Sequence, residues 1–225
     1  MRKNKIFIAC DTAKINKARE IINKTKTKEI KVGYKFGLEF INSKKGREFI
    51  SKLKRKIIFL DLKLNDIPNT CISTIKAVKD LKANYITMHI SSGLEALKAV
   101  KKISGRTKIV GVSTLTSLND KFLKEIGYDK KLNSLVVHQA KLASKAKLDA
   151  LVCSAQEARL VKKIFKKEII TPGIRLNSKT NDQKRVMSAH DAFKAGSDWL
   201  VIGRPITKGN IRKNLQKLID HLKND

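Results

Sequence analysis

Lys56-Ile57-Ile58-Phe59-Leu60-Asp61-Leu62-Lys63-Leu64-Asn65-Asp66-Ile67-Pro68-Asn69-Thr70 is the stretch from which the fold is read. Its first part is β-branched and aromatic, the composition of a short buried strand, here over 56–61. Pro68 then opens a helix, because a proline in the first turn loses no hydrogen bond. Cys71, Ile75, Val78 and Leu81 follow at helical spacing and carry that helix to about residue 82. The stretch is therefore a strand, a charged turn and a helix. Residues two apart on a strand face the same side, about 6.6 Å from one another. Asp61 and Lys63 are thus predicted to point together, with Asp66 in the turn able to fold back towards them. A cation between two carboxylates at a strand's carboxyl end reads as a site.

The same alternation runs outward in both directions. Upstream lie strands at 5–10 and 29–33, with helices near 14–25 and 45–54. Downstream come strands at 85–89, 108–112, 149–153, 168–171 and 198–202. Helices are predicted from the turn at Ser91-Ser92-Gly93 to residue 102, then at 120–126, 133–146, 155–165, 188–195 and 208–223. The polar segment 176–184 lacks periodicity and reads as a long loop. Eight strictly alternating strand–helix units predict a parallel sheet, and in 225 residues they fit a single (β/α)8 TIM barrel, residues 1–225. An open doubly wound sheet is the runner-up, but Asp11-Thr12 stands where a glycine-rich dinucleotide turn would follow strand one.

In a barrel the chemistry lies at the carboxyl ends of the strands. Asp11, Lys31, Asp61, Lys63, His89, Thr116, Pro172, Arg175 and Arg204 are predicted to converge there. The loops after strands seven and eight, Thr171-Pro172-Gly173-Ile174-Arg175 and Ile202-Gly203-Arg204-Pro205, have the make-up of a phosphate site. Glycine lets backbone N–H groups approach an anion, and arginine offers it a forked partner. His89 receives no proton-transfer role. His138, His190 and His221 stand in helical segments without partners, and no histidines are spaced as metal ligands, so no metal is expected.

Net charge +30 and a pI near 10.2 would suit a nucleic-acid-binding protein. Against this, only ten of the 50 basic residues are Arg, the lysines are spread over every predicted helix, and aromatic residues make up only 5%. Stacking platforms for bases are few. A positive field that speeds capture of an anionic substrate is the smaller role left to the charge. Cys10, Cys71 and Cys153 give neither a disulfide framework nor metal spacing. The basic start followed by Ile6–Cys10 is too short an apolar run for a signal peptide, and no run is long enough to span a membrane. A reducing, cytoplasmic setting is expected.

Taken together, these motifs resemble the orotidine 5′-phosphate decarboxylase family in its short bacterial form, over nearly the whole chain. The resemblance rests on Ala9-Cys10-Asp11, Lys31-Val32-Gly33, Asp61 to Thr70, Leu115-Thr116-Ser117, Val152 to Ala158, Thr171 to Arg175, Asp182 to Arg185 and Ile202 to Pro205. It implies decarboxylation of orotidine 5′-monophosphate to uridine 5′-monophosphate, the last step of pyrimidine nucleotide synthesis, without cofactor or metal. By the same resemblance, Asp11 and Lys31 hold the ribose hydroxyls, Asp61 sits near the substrate carboxylate, and Lys63 donates the proton that replaces carbon dioxide. Asp66, Ile67 and Thr70 come from the partner of a homodimer with shared sites. Thr116 and Pro172 lie by the pyrimidine. Arg175, Gln183, Gly203 and Arg204 grip the phosphate, with loop 176–184 closing over it. Departures are Ile90-Ser91-Ser92-Gly93, where many relatives have paired glycines, and Tyr34-Lys35-Phe36-Gly37 between strand and helix two.

The chemistry suits the bare residues. Decarboxylation leaves negative charge on a ring carbon, and an ammonium held charged by flanking carboxylates can stabilise it and then protonate it. The rival enzyme is a sister lyase or synthase of the same barrel group that acts on a sugar phosphate through a magnesium-bound enediolate. Such relatives share Asp-x-Lys-x-x-Asp but lack the following Ile-Pro-Asn-Thr.

Overall fold

Each strand pairs in parallel with the next, and the eighth closes on the first, giving the barrel order β1-β2-β3-β4-β5-β6-β7-β8. This computed structural model describes residues 3–175 and 187–223. The elements are β1 (Lys5–Ala9), α1 (Ile15–Lys24), β2 (Lys31–Gly37), α2 (Leu38–Ile41), α3 (Gly46–Ser51), β3 (Ile57–Leu64) and α4 (Pro68–Ala77). They continue with β4 (Tyr85–His89), α5 (Gly93–Ile103), β5 (Lys108–Val112), α6 (Asp120–Glu125), α7 (Leu132–Lys145), β6 (Ala150–Val152) and α8 (Ala155–Ile164). The last are β7 (Glu168–Thr171), α9 (Ala189–Lys194), β8 (Trp199–Ile202), α10 (Arg204–Thr207) and α11 (Ile211–Lys223). Among the described residues no helix is long and apolar enough to cross a membrane.

Alternation along each strand divides the core in two. Ile6 and Ile8 of β1 and Cys10 just after it, like Tyr34 and Phe36 of β2, pack outward into the layer beneath the helices. Phe7, Phe59, Tyr85, Val110, Ala150, Ile170 and Trp199 form the separate cluster that fills the barrel. Phe7 lies stacked on Trp199, ring centroids 4.1 Å apart. It has room because Gly33 faces it: a Cβ at Gly33 would stand 2.6 Å from the Phe7 ring. Beneath this layer Glu168 closes the amino end. Its carboxylate accepts from Tyr85 Oη (3.0 Å), Lys108 Nζ (2.7 Å) and Trp199 Nε1 (3.3 Å), with Lys5 Nζ at 3.4 Å.

Strand starts are tied by a recurring device. Asn84, Asp149 and Asp198 each precede an even strand and accept the N–H of the second residue of its odd neighbour, from Ile58, Ile109 and Ile169 at 2.8–2.9 Å. Lys101 and Lys162 neutralise the two aspartates.

Several elements differ from the sequence reading. β3 runs to Leu64 instead of ending at Asp61, and the short helices α2 and α10 were not expected. β2 runs on to Gly37, four residues past its predicted end, because Tyr34 and Phe36 bury outward while Gly33, Lys35 and Gly37 face the barrel. The helix expected over 68–82 stops at Ala77. A 3₁₀ turn at Lys79–Leu81 follows, and Lys82 adopts a left-handed φ of 47°. Segment 176–184, read as a long loop, lies outside the described residues.

Candidate active site

The carboxyl ends of β1, β2 and β3 place four charges in alternation. Asp11 Oδ1 lies 3.1 Å from Lys35 Nζ, which lies 3.3 Å from Asp61 Oδ2, which in turn lies 2.8 Å from Lys63 Nζ. Inward alternation accounts for most of this row. Phe7, Ala9 and Asp11 share one face of the first strand, Gly33 and Lys35 one face of the second, and Phe59 and Asp61 one face of the third.

Lys63 arrives differently. The pairing of β3 with β4 slips between Leu60 and Leu64, so that four residues of β3 oppose two of β4, and Lys63 takes a left-handed φ of 49°. The bulge turns the Lys63 side chain back towards Asp61. A left-handed lysine costs about 1–2 kcal/mol. The surrounding contacts must therefore hold it.

Burial opposes the charge on Asp61, yet the Lys35 and Lys63 ammoniums outweigh it and hold the carboxyl below its ordinary range. Burial likewise opposes the charge on Lys35, and Asp61 and Asp11 together raise it above the ordinary lysine value. His89, half-buried at the end of β4, is pushed down by burial and then by Lys63, against a smaller opposing effect of Asp61. The Cys10 thiol is pushed up to about 12 by burial and by Asp11, against Lys35, so it stays protonated.

Asp11, Lys35, Asp61 and Lys63 line one side of a cavity of about 250 Å³ at the barrel mouth; His89, expected to converge there, is not part of the lining. The apolar floor is Ala9, Phe59, Val112, Val152 and Val201, and the remaining wall is Thr114 to Thr116, Pro172 to Arg175, Gly203 and Arg204. Thr114 is fixed by Gln139, whose Oε1 accepts from its backbone N–H (2.8 Å) and its hydroxyl (3.1 Å). Gly173 has a φ of 80°, which favours glycine, and Arg175 N–H donates to Met187 O at 3.2 Å. The cavity thus has an alternating ionic row on β1–β3 and a glycine–arginine wall after β7 and β8.

The model of the orotidine 5′-phosphate decarboxylase / HUMPS family matches residues 4–217. The chain belongs to that family. It is 42% identical to the orotidine 5′-phosphate decarboxylase of Wolbachia sp. subsp. Brugia malayi, over 96% of this chain and 97% of that one. It is also 42% identical to that of Ehrlichia chaffeensis, over 92% and 91%. The crystal structure of orotidine 5′-phosphate decarboxylase from Lactobacillus acidophilus superposes with a TM-score of 0.84 at 28% identity, covering 99% of this chain and all of that one. The chain is thus an enzyme of a carbon–carbon lyase family, built on the TIM barrel of its relatives.

Within this decarboxylase-family barrel, Asp11, Asp61, Lys63, Thr116, Pro172, Arg175, Gly203 and Arg204 meet at one cavity. Lys31 does not. It opens β2 opposite Lys5, at the amino end of the barrel, exposed. Lys31 and Lys35 share a face but stand about 13 Å apart along the strand, and it is Lys35 that bridges Asp11 and Asp61. The pattern Gly33-x-Lys35-x-Gly37 held the signal, small inward residues flanking one long inward cation.

Asp66, Ile67 and Thr70 also lie outside the lining of the chain's own cavity. They are exposed at the start of α4, where Asp66 Oδ1 accepts from Ile67 N–H and Ile67 is 66% exposed. Gln183 lies outside the described residues.

Proposed function

We propose that this enzyme converts orotidine 5′-monophosphate to uridine 5′-monophosphate and carbon dioxide without metal or cofactor. In this reading Lys63 is the proton donor within a charge network of Asp61, Lys63 and the partner's copy of Asp66, extended on its own side by Lys35 and Asp11. The observation that carries it is the ionic row that ends on Lys63, set four strands from the arginine-bearing loop after β7.

The phosphate is held at Gly203, Arg204 and Arg175, with Gln183 as the resemblance implies. The pyrimidine lies between Thr116 and Pro172, and the ribose hydroxyls are near Asp11 and Lys35. The substrate carboxylate then meets the Asp61–Lys63 pair. The bond between ring and carboxylate breaks, carbon dioxide leaves, and the electron pair stays on the ring carbon. The Lys63 ammonium stabilises that pair as it develops and gives it a proton, and Lys63 is reprotonated from solvent. No covalent intermediate is needed. Contacts to the phosphate, remote from the reacting carbon, supply the binding energy that fixes this geometry.

The exposed start of α4 supports the second part of the proposal. Asp66, Ile67 and Thr70 are exposed and absent from the lining of their own cavity, as they would be if they completed the site of a second copy across a two-fold axis. The active species is then the homodimer.

The rival within the same family is a magnesium-dependent reaction on a sugar phosphate. Ultraviolet absorbance of purified protein with orotidine 5′-monophosphate and excess chelator separates the two. Conversion unaffected by chelator is expected; conversion lost in chelator and restored by magnesium favours the rival.

A further inference from the structure

The left-handed turn at Lys63 has a dedicated support on the neighbouring strand. Thr87 lies in the middle of β4 with its side chain inward, fully buried. Its Oγ1 accepts the backbone N–H of Lys63 at 2.8 Å and donates to Asp61 Oδ1 at 3.1 Å. The direction of both bonds is fixed, since the Lys63 amide can only donate and the Asp61 carboxylate accepts. One hydroxyl thus ties the backbone of the strained residue to the carboxylate that its ammonium contacts. It does so at the place where β3 slips against β4.

Two residues further on, the turn after β4 holds the other flank. Asn65 Oδ1 accepts from Ser92 Oγ at 3.1 Å and Ser91 Oγ at 3.3 Å, and Ser92 Oγ also reaches Leu64 O at 3.4 Å. The bulge between Asp61 and Asn65 is therefore clamped at both ends by hydroxyls from β4 and its following turn.

We propose that Thr87 is a positioning residue for the reaction, with the Ser91–Ser92–Asn65 clamp as its counterpart on the far side of Lys63. Without the Thr87 hydroxyl the Lys63 amide and one Asp61 oxygen are left buried and unpaired. The bulge then relaxes, and the ammonium leaves the line between Asp61 and the ring carbon. The phosphate grip, in the loops after β7 and β8, is untouched. The loss falls on kcat and leaves KM alone. The pH profile moves as well. The Thr87 hydroxyl donates to the ionised form of Asp61, so its removal shifts the acid limb of kcat to higher pH.

The proposal rests on the decarboxylase reading, and the experiment separates the two. Turnover of orotidine 5′-monophosphate, kcat, KM and pH profile are measured for the parent, Thr87→Val, Thr87→Ser and Asn65→Ala, with thermal melts of each. A parent without turnover sinks the decarboxylase reading. Given an active parent, Thr87→Val is expected to lose about 10- to 100-fold in kcat, with KM within about twofold and the acid limb raised, while Thr87→Ser recovers most of the loss. If Thr87→Val does not fold, Asn65→Ala, at an exposed turn, is expected to show a smaller loss confined to kcat. A folded Thr87→Val with parental kcat overturns the proposal, and so does one whose loss lies in KM or which Thr87→Ser fails to rescue. Where Thr87→Val does not fold, an Asn65→Ala enzyme indistinguishable from the parent overturns it too.

Discussion

Lys35 stands in the middle of the ionic row. Its ammonium lies between two carboxylates, and its side chain is only 12% exposed. Removing one partner of a buried pair leaves the other uncompensated, at a cost of about 3–5 kcal/mol. Lys35→Ala is accordingly expected to lower the stability measured by urea titration by that order, and to lower kcat because Asp61 loses half its counter-charge. Lys31→Ala, at the opposite end of the same strand face, is expected to leave kcat and stability near the parent values. Equal effects of the two substitutions would contradict the placement of the site. In the proposed reading Arg204 serves a different part of the reaction, the phosphate grip. A charge-assisted contact to phosphate contributes about 1.5–3 kcal/mol, so Arg204→Ala should raise KM about 10- to 100-fold in steady-state assays. An unchanged KM would remove Arg204 from the phosphate grip.

At the scale of elements, β2 shows why part of the site was hidden in the sequence. The barrel order was legible because each strand is a compact apolar run between amphipathic helices, and most strand bounds fall within a residue or two of those expected. β2 alternates instead, Lys31-Val32-Gly33-Tyr34-Lys35-Phe36-Gly37, so hydrophobicity gives no sharp end. From the sequence the strand ends at Gly33, two alternations short of Gly37. Asp61 and Lys63 were placed on one side for a simpler reason than the real one. Regular alternation does not bring them together; the bulge does, and no local residue pattern announces a bulge whose support, Thr87, stands 24 residues away. Gly33 offers a packing test. An alanine there must displace the Phe7 ring, and overpacking of this kind costs about 1–3 kcal/mol, so Gly33→Ala should melt several degrees lower. The start of α4 offers a test of assembly. Lys63→Ala and Asp66→Ala are each expected to be inactive. If sites are shared, mixing them after subunit exchange should restore about one quarter of parental activity, because one site of each heterodimer is intact. No recovery despite exchange would place Asp66 outside the shared site.

At the scale of the whole molecule, the two ends of the barrel respond to acid in the same direction. At the mouth, Asp61 is held below the carboxylate range by Lys35 and Lys63 against burial. At the base, Glu168 is held low by Lys108, then Tyr85 and Lys5, again against burial. Both carboxyls have folded values below their unfolded ones. The stability they contribute is complete above the unfolded carboxylate value, about 4, and is lost as pH falls through the depressed folded values. Lys35 and Lys108 are raised, so their contribution is complete below the ordinary lysine value, about 10.4, and is lost as pH climbs above it. Melting temperature is therefore expected to fall at both extremes. His89, whose value burial and Lys63 lower, joins on the acid side below about pH 6.5, and the Cys10 thiol, which burial keeps protonated, joins on the alkaline side above about pH 8.5. Glu168→Gln should flatten the acid fall; an unaltered acid limb would show that the basal network is not part of it. The central claim concerns what all of this structure holds in place, the Lys63 ammonium facing a carbon that has lost carbon dioxide. The most direct measurement is the rate at which folded parent and folded Lys63→Ala convert orotidine 5′-monophosphate to uridine 5′-monophosphate, followed by ultraviolet absorbance. The account predicts rapid conversion by the parent and none detectable with Lys63→Ala; conversion by Lys63→Ala at near the parental rate would contradict it.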